Sequence, residues 1–114
     1  MREILFRGKG RDNGKWYEGD LGTLAHKRFI DDGKDNARVI PETVGQFTGL
    51  TDKNGKKIFE GDIVAMGKGR AYEVKYNNGS YYMDGIAIPI KFVDRFEVIG
   101  NIHDNPELLK GGAE

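Results

Sequence analysis

Two stretches of the chain share an aromatic-Glu-Gly-Asp-aliphatic pattern: Trp16-Tyr17-Glu18-Gly19-Asp20-Leu21 and Ile58-Phe59-Glu60-Gly61-Asp62-Ile63. If the two copies faced one another, Glu18, Asp20, Glu60 and Asp62 would form a carboxylate cluster able to hold a hard cation or to supply a general acid and base. A simpler reading competes with it. An Asp beside a Gly at a strand entry accepts hydrogen bonds from nearby turn amides, which accounts for both copies without chemistry. The rest of the inventory narrows the reactions further. With no cysteine there is no disulfide, thiolate zinc site or cysteine nucleophile. His26 and His103 each lack a second histidine three to five residues away, so each reads as a surface or packing residue. No catalytic residue, metal ligand or cofactor is expected.

Binding chemistry is better represented. Gly8-Lys9-Gly10-Arg11 and Gly67-Lys68-Gly69-Arg70 offer amides and cations to a phosphate, but neither continues into the Ser or Thr and helix of a Walker loop, so both read as solvated hairpin tips. The segment Arg70 to Met83 carries Tyr72, Tyr76, Tyr81 and Tyr82 beside Arg70 and Lys75. Arg70, Lys75, Tyr76 and Tyr81 form the candidate binding set, since exposed aromatics next to cations stack on bases or anchor a protein partner. The alternative is cross-strand packing of the tyrosines within the sheet.

The elements that must position these residues are strands. Seventeen glycines separate short runs rich in Val, Ile, Tyr, Phe and Trp. Ala71–Tyr76 and Ser80–Met83 flank Asn77-Asn78-Gly79 and read as a β-hairpin. Asn13-Gly14, Asp32-Gly33 and Asn54-Gly55 mark further turns. Only the C-terminus reads as helix, with Asn105 as N-cap, Pro106 at the first position and Gly111 as the stop, Leu108 and Leu109 docking on the sheet. The Glu-Gly-Asp repeat suggests two related β units at about 1–50 and 51–104, followed by the helix and tail at 105–114. Gly61 onward, with a Gly-rich turn, a hairpin and Phe96-Glu97-Val98-Ile99, matches the strand order of a small SH3-like barrel.

A chain of 114 residues suits one domain, and its 18 basic and 18 acidic residues are interspersed. That balance removes the compositional argument for a dedicated DNA or membrane binder. The opening residues are charged and their apolar run is too short for a signal core, so a cytoplasmic location is expected.

Ile40-Pro41-Glu42-Thr43-Val44-Gly45-Gln46-Phe47-Thr48-Gly49-Leu50, continued by Asp52-Lys53-Asn54-Gly55-Lys56-Lys57-Ile58-Phe59-Glu60-Gly61-Asp62-Ile63-Val64, resembles the YopX family of phage and prophage proteins. Met1-Arg2-Glu3-Ile4 with Phe6-Arg7, and the close from Phe96 to Leu109, are similar to the same family. The stretch from His26 to Arg38 carries least of the resemblance. What the resemblance implies is a mainly β fold, a small barrel or roll with an SH3-like C-terminal part, and a phage or prophage origin inside a bacterium. It implies no activity and transfers no catalytic residue.

The expectation is therefore a non-enzymatic accessory module that binds a host or phage protein through a sheet edge or barrel face. The alternative is a nucleic-acid-binding barrel using Arg70, Lys75, Tyr76 and Tyr81, and the third is a metal-dependent enzyme built on the four carboxylates. No membrane association is expected, and self-association would suit exposed strand edges.

Overall fold

The computed structural model describes residues 4–77, 80–84 and 95–111. Ten strands follow in chain order: β1 Phe6–Lys9, β2 Trp16–Leu24, β3 Lys27–Asp31, β4 Asn36–Val39, β5 Gly45–Thr51, β6 Lys57–Phe59, β7 Asp62–Ala65, β8 Ala71–Asn77, β9 Ser80–Met83 and β10 Glu97–Asn101. A 3-10 turn at Pro41–Thr43 precedes β5, and one short helix, α1, spans Glu107–Gly111. The protein is mainly β. It divides into two compact units, Met1–Phe47 and Thr48–Glu114, with β5 running from one into the next.

Turn chemistry builds the first unit. Asn13 Oδ1 accepts the Lys15 N–H at 2.9 Å and closes the loop between β1 and β2, which pair from Phe6↔Gly19 to Lys9↔Trp16. Asp32 Oδ1 accepts the N–H groups of Lys34 and Asp35 at 2.9 and 2.7 Å, and Asp31 Oδ1 that of Gly33 at 2.9 Å, tying the turn from β3 to β4. Between them, β2 and β3 are joined by two residues, Ala25 and His26, at φ 52° and 64°. Both positive φ values match the type I′ turn that fits strand twist, although neither residue favours that region.

Alternation places Gly8, Tyr17, Gly19, Leu21, Ile30 and Val39 on one face of this sheet. The sheet then curls until β4 meets the end of β1. Ile40 donates to the Lys9 carbonyl and Arg11 to the Arg38 carbonyl, each at 2.9 Å, around a Gly10↔Val39 bridge. These bonds close β1 to β4 into a small barrel with Ile30 and Val39 buried inside. Closure needs bare backbone: a Cβ on Gly8 would stand 2.9 Å from Val39 Cβ, and one on Gly19 would fall on the Asp31 carbonyl oxygen. The first Gly-Lys-Gly-Arg segment is thus no solvated tip. Its Gly8 and Lys9 belong to β1 and its Gly10 to the seam. The first residues of β5 lie beside β1, pairing Phe6↔Gln46 and Arg7↔Gly45.

In the second unit the Thr48 hydroxyl of β5 donates to the Ile58 carbonyl of β6 at 2.8 Å. A four-stranded antiparallel sheet follows in the order β10-β7-β8-β9. Ile58, Val64, Val74, Met83 and Phe96 form its apolar core, with Leu50, Tyr72 and Val98 packed against them. A bulge between Val98 and Gly100 leaves Ile99 outside the ladder. Gly67, at φ 59°, turns the exposed second Gly-Lys-Gly-Arg segment between β7 and β8. The β8–β9 hairpin has Asn77 opposite Ser80, while Asn78 and Gly79 of its expected turn lie outside the described residues.

Two expectations fail here. The Glu-Gly-Asp copies differ locally: the first lies within the uninterrupted strand β2, whereas the second breaks at Gly61, φ 93°, between β6 and β7. A shared ancestry of two units therefore has no structural support in these segments. Asn105 does precede the helix, which packs on β8, but its Oδ1 accepts the Asn101 N–H at 3.3 Å instead of capping α1, because its side chain lies against Gly100.

Replacing Ala25→Asn together with His26→Gly should raise the unfolding free energy by about 1 kcal/mol, read as a higher urea midpoint at unchanged m, as strain at positive φ is relieved. Gly19→Ala should lower it by about 3 kcal/mol, since main chain cannot rotate away from the added methyl.

Candidate functional site

Carboxylates first. Glu18 and Asp20 lie on β2 of the first unit, opposite Arg7 and Asp31. Glu60 and Asp62 belong to the second, where Asp62, 1% exposed, accepts the Phe59 N–H on Oδ2 at 2.8 Å and closes the turn between β6 and β7. Among the described residues no group of three or more Asp, Glu and His is placed to hold a metal ion.

The most engaged carboxylate is one that no motif singled out. Asp52 is buried, and its Oδ1 accepts the N–H groups of Asn54 and Lys56 at 2.8 and 2.9 Å while Oδ2 accepts that of Val98 at 2.9 Å. Lys53 N–H donates to the Phe96 carbonyl at 2.9 Å alongside. One side chain therefore shapes the turn from β5 to β6 and fastens it to β10. Burial pushes its pKa up, but the donors from Val98, Lys56 and Asn54 together outweigh that and hold it below the ordinary carboxylate value. The Asp-x-Asn-Gly turn was visible in the sequence; the reach to Val98, 46 residues away, was not.

Of the four candidate binding residues, Lys75, Tyr76 and Tyr81 share the β8–β9 hairpin but not one face, and Arg70 precedes it. Tyr76 and Tyr81 face each other across β8 and β9 with ring centroids 4.9 Å apart, edge to face; Tyr81 is buried and Tyr76 is 52% exposed. Lys75 points to the opposite face, as alternation requires, with its Nζ 3.3 Å from Asp84 Oδ2. Its pKa is raised, first by the hydrogen bond to Asp84 and then by the charges of Glu73 and Asp84. Arg70 stands in the β7–β8 turn with its guanidinium 5.6 Å from the Tyr72 ring centroid, and Tyr72 meets Phe96 edge-on at 6.4 Å. Of the two tyrosines, then, Tyr76 is the exposed one.

His103 lies in the turn after β10, its N–H bonded to Asn101 Oδ1 at 3.0 Å. His26 sits in the β2–β3 turn, beside a second feature that sequence reasoning missed. A cavity of about 240 Å³ in the first unit is lined by Arg11, His26, Lys27, Arg28, Arg38 and Glu42, over Val39, Ile40 and Pro41. These cations are scattered along the sequence and only barrel closure assembles them. Also in that unit, the Arg7 guanidinium is buried 4.9 Å over the Trp16 ring.

Asp52→Ala should destabilise the chain by about 3 kcal/mol, roughly 1 for each amide left without its acceptor. Because the folded pKa lies below the unfolded one, the ionised form stabilises the fold above the unfolded value of 3.8, and this is lost as pH falls through the folded pKa. Denaturation midpoints should thus drop more steeply below about pH 4 in the wild type than in Asp52→Asn, the carboxylate reference being about 3.9.

A search of curated proteins finds no match. Among solved structures, the protein EF1440 from Enterococcus faecalis is similar, with 24% identity and a TM-score of 0.64 over 96% of this chain and 99% of that one, a likeness that shows the fold. The model of the family described as YopX protein matches residues 5–110, nearly the whole length. The chain belongs to the YopX family.

Proposed function

We propose that this YopX protein is a non-enzymatic accessory module that acts by binding another protein, in the cytoplasm of a bacterium carrying the phage or prophage that encodes it. The observation that supports the reading is Tyr76: half-exposed on the β8–β9 hairpin, with its ring already ordered against Tyr81 at 4.9 Å. A pre-ordered aromatic gives contact area at little conformational cost, the property that makes Tyr an interface anchor. The buried carboxylates fit the same reading, since Asp52 and Asp62 accept backbone amides that set turns and strand entries. In the finer form of the proposal, the β7 to β10 part is an SH3-like barrel face and the partner is a host or phage protein.

A photo-crosslinking residue at position 76 should capture one discrete partner from host lysate, competed by excess unlabelled protein, while the same residue at Thr23 captures none. Tyr76→Ser, expected to change stability by less than about 1 kcal/mol at this exposed position, should abolish the competition. Equal patterns from positions 76 and 23 would refute the proposal.

A further inference from the structure

We propose that the cavity at the edge of the first-unit barrel is a binding site for a phosphate group, read by Arg11 and Arg28 with Lys27 adding positive charge. This goes beyond the protein-binding reading and uses the other unit. Four permanent cations and one carboxylate, Glu42, line a cavity of about 240 Å³, in a chain whose total charge is zero. None of Arg11, Lys27, Arg28 and Arg38 forms an ion pair among the described residues.

Geometry keeps these charges concentrated. The acids of the same hairpin, Asp31, Asp32 and Asp35, lie at the other end of β3, where their turn is tied by backbone N–H donors. Four residue steps along β3 separate Lys27 from Asp31, about 13 Å at the usual rise and more than the ~8 Å screening length of physiological salt. Those three acids therefore do not neutralise the basic end, whose four cations share the cavity with Glu42. The floor of Val39, Ile40 and Pro41 is apolar, and Val39 is 1% exposed, so field lines concentrate toward the opening.

The backbone carrying the cations is also rigid. Arg28 is paired with Val39 in the ladder, and the Arg11 N–H is fixed to the Arg38 carbonyl at 2.9 Å. Register places Arg28 on the Val39 face and Arg38 on the opposite one, so Arg28 and Arg11 are the side chains assigned to the ligand. Two guanidinium forks match phosphate oxygens in a way that ammonium groups do not. No Phe, Tyr or Trp lines the cavity and His26 is its one ring, so the recognition assigned here is of the phosphate. The phosphate source is a free phosphate compound or a nucleic-acid backbone.

The test uses the full chain at 25 mM salt, with inorganic pyrophosphate followed by amide chemical shifts and fluorescein-labelled single- and double-stranded 20-mers followed by anisotropy. Pyrophosphate should shift the amides of Arg11 and of residues 26–28, and Arg28→Glu should weaken binding at least tenfold, with Lys27→Glu as a second exposed variant. Arg70→Glu in the other unit should leave binding unchanged. Saturable pyrophosphate binding without 20-mer binding assigns a free phosphate compound. Binding of a 20-mer that weakens steeply with salt and is lost in Arg28→Glu assigns a nucleic-acid backbone. Failure of every probe to bind, or binding that survives both Arg28→Glu and Lys27→Glu in variants that melt like the wild type, would overturn the proposal.

Discussion

The first unit depends on a seam in which bare glycine backbone in β1 leaves room for the Val39 side chain of β4. Where β4 returns to β1, Gly8 lies so close to Val39 that a methyl group would collide, and Gly19 does the same at the Asp31 carbonyl. Removing those side chains lets a four-stranded sheet curl far enough for Ile40 and Arg11 to complete their hydrogen bonds across the gap. The closed sheet buries Ile30 and Val39 and gives β4, an edge strand in the open sheet, a partner. It also gathers Arg11, Lys27, Arg28 and Arg38, which lie as far apart as 27 positions in sequence, around one cavity.

The second unit solves a different problem with a charge. Its turn from β5 to β6 and its strand β10 are held by one buried carboxylate that meets three amides, so Asp52 does with one side chain what the seam of the first unit does with main chain. Burying an ion is costly unless its hydrogen bonds are made, and here the three donors outweigh the burial, as the lowered pKa records. Asp62 repeats the device on a smaller scale at the Phe59 amide.

The acidic residues at buried positions, Asp52 and Asp62, are structural, each accepting backbone amides. The second unit presents an ordered aromatic, Tyr76, whereas Lys75 beside it is turned away and engaged by Asp84. The first presents positive charge in a cavity. Each feature is chemistry suited to binding, and they differ in what they would bind: an apolar protein surface at Tyr76, an anion at Arg28.

Much of the fold was legible because turns are local. Asn13-Gly14, Asp32-Gly33 and Asn54-Gly55 announced their hairpins through residues that accept positive φ and amide hydrogen bonds, and the strand runs between them follow from β-branched and aromatic content. The family was legible because the residues that carry the resemblance run through much of the chain, as its model matches residues 5–110. The repeated Glu-Gly-Asp pattern misled because identical residues can serve opposite backbones: Gly19 is extended inside β2 to admit Asp31, while Gly61 turns the chain at φ 93°. The tertiary structure alone decided which face of the hairpin each of Lys75, Tyr76 and Tyr81 occupies, that Asp52 reaches Val98, and that four separate cations share a cavity. Those facts depend on register and on sheet curvature, which arise from contacts between residues far apart in sequence, and no local pattern encodes them.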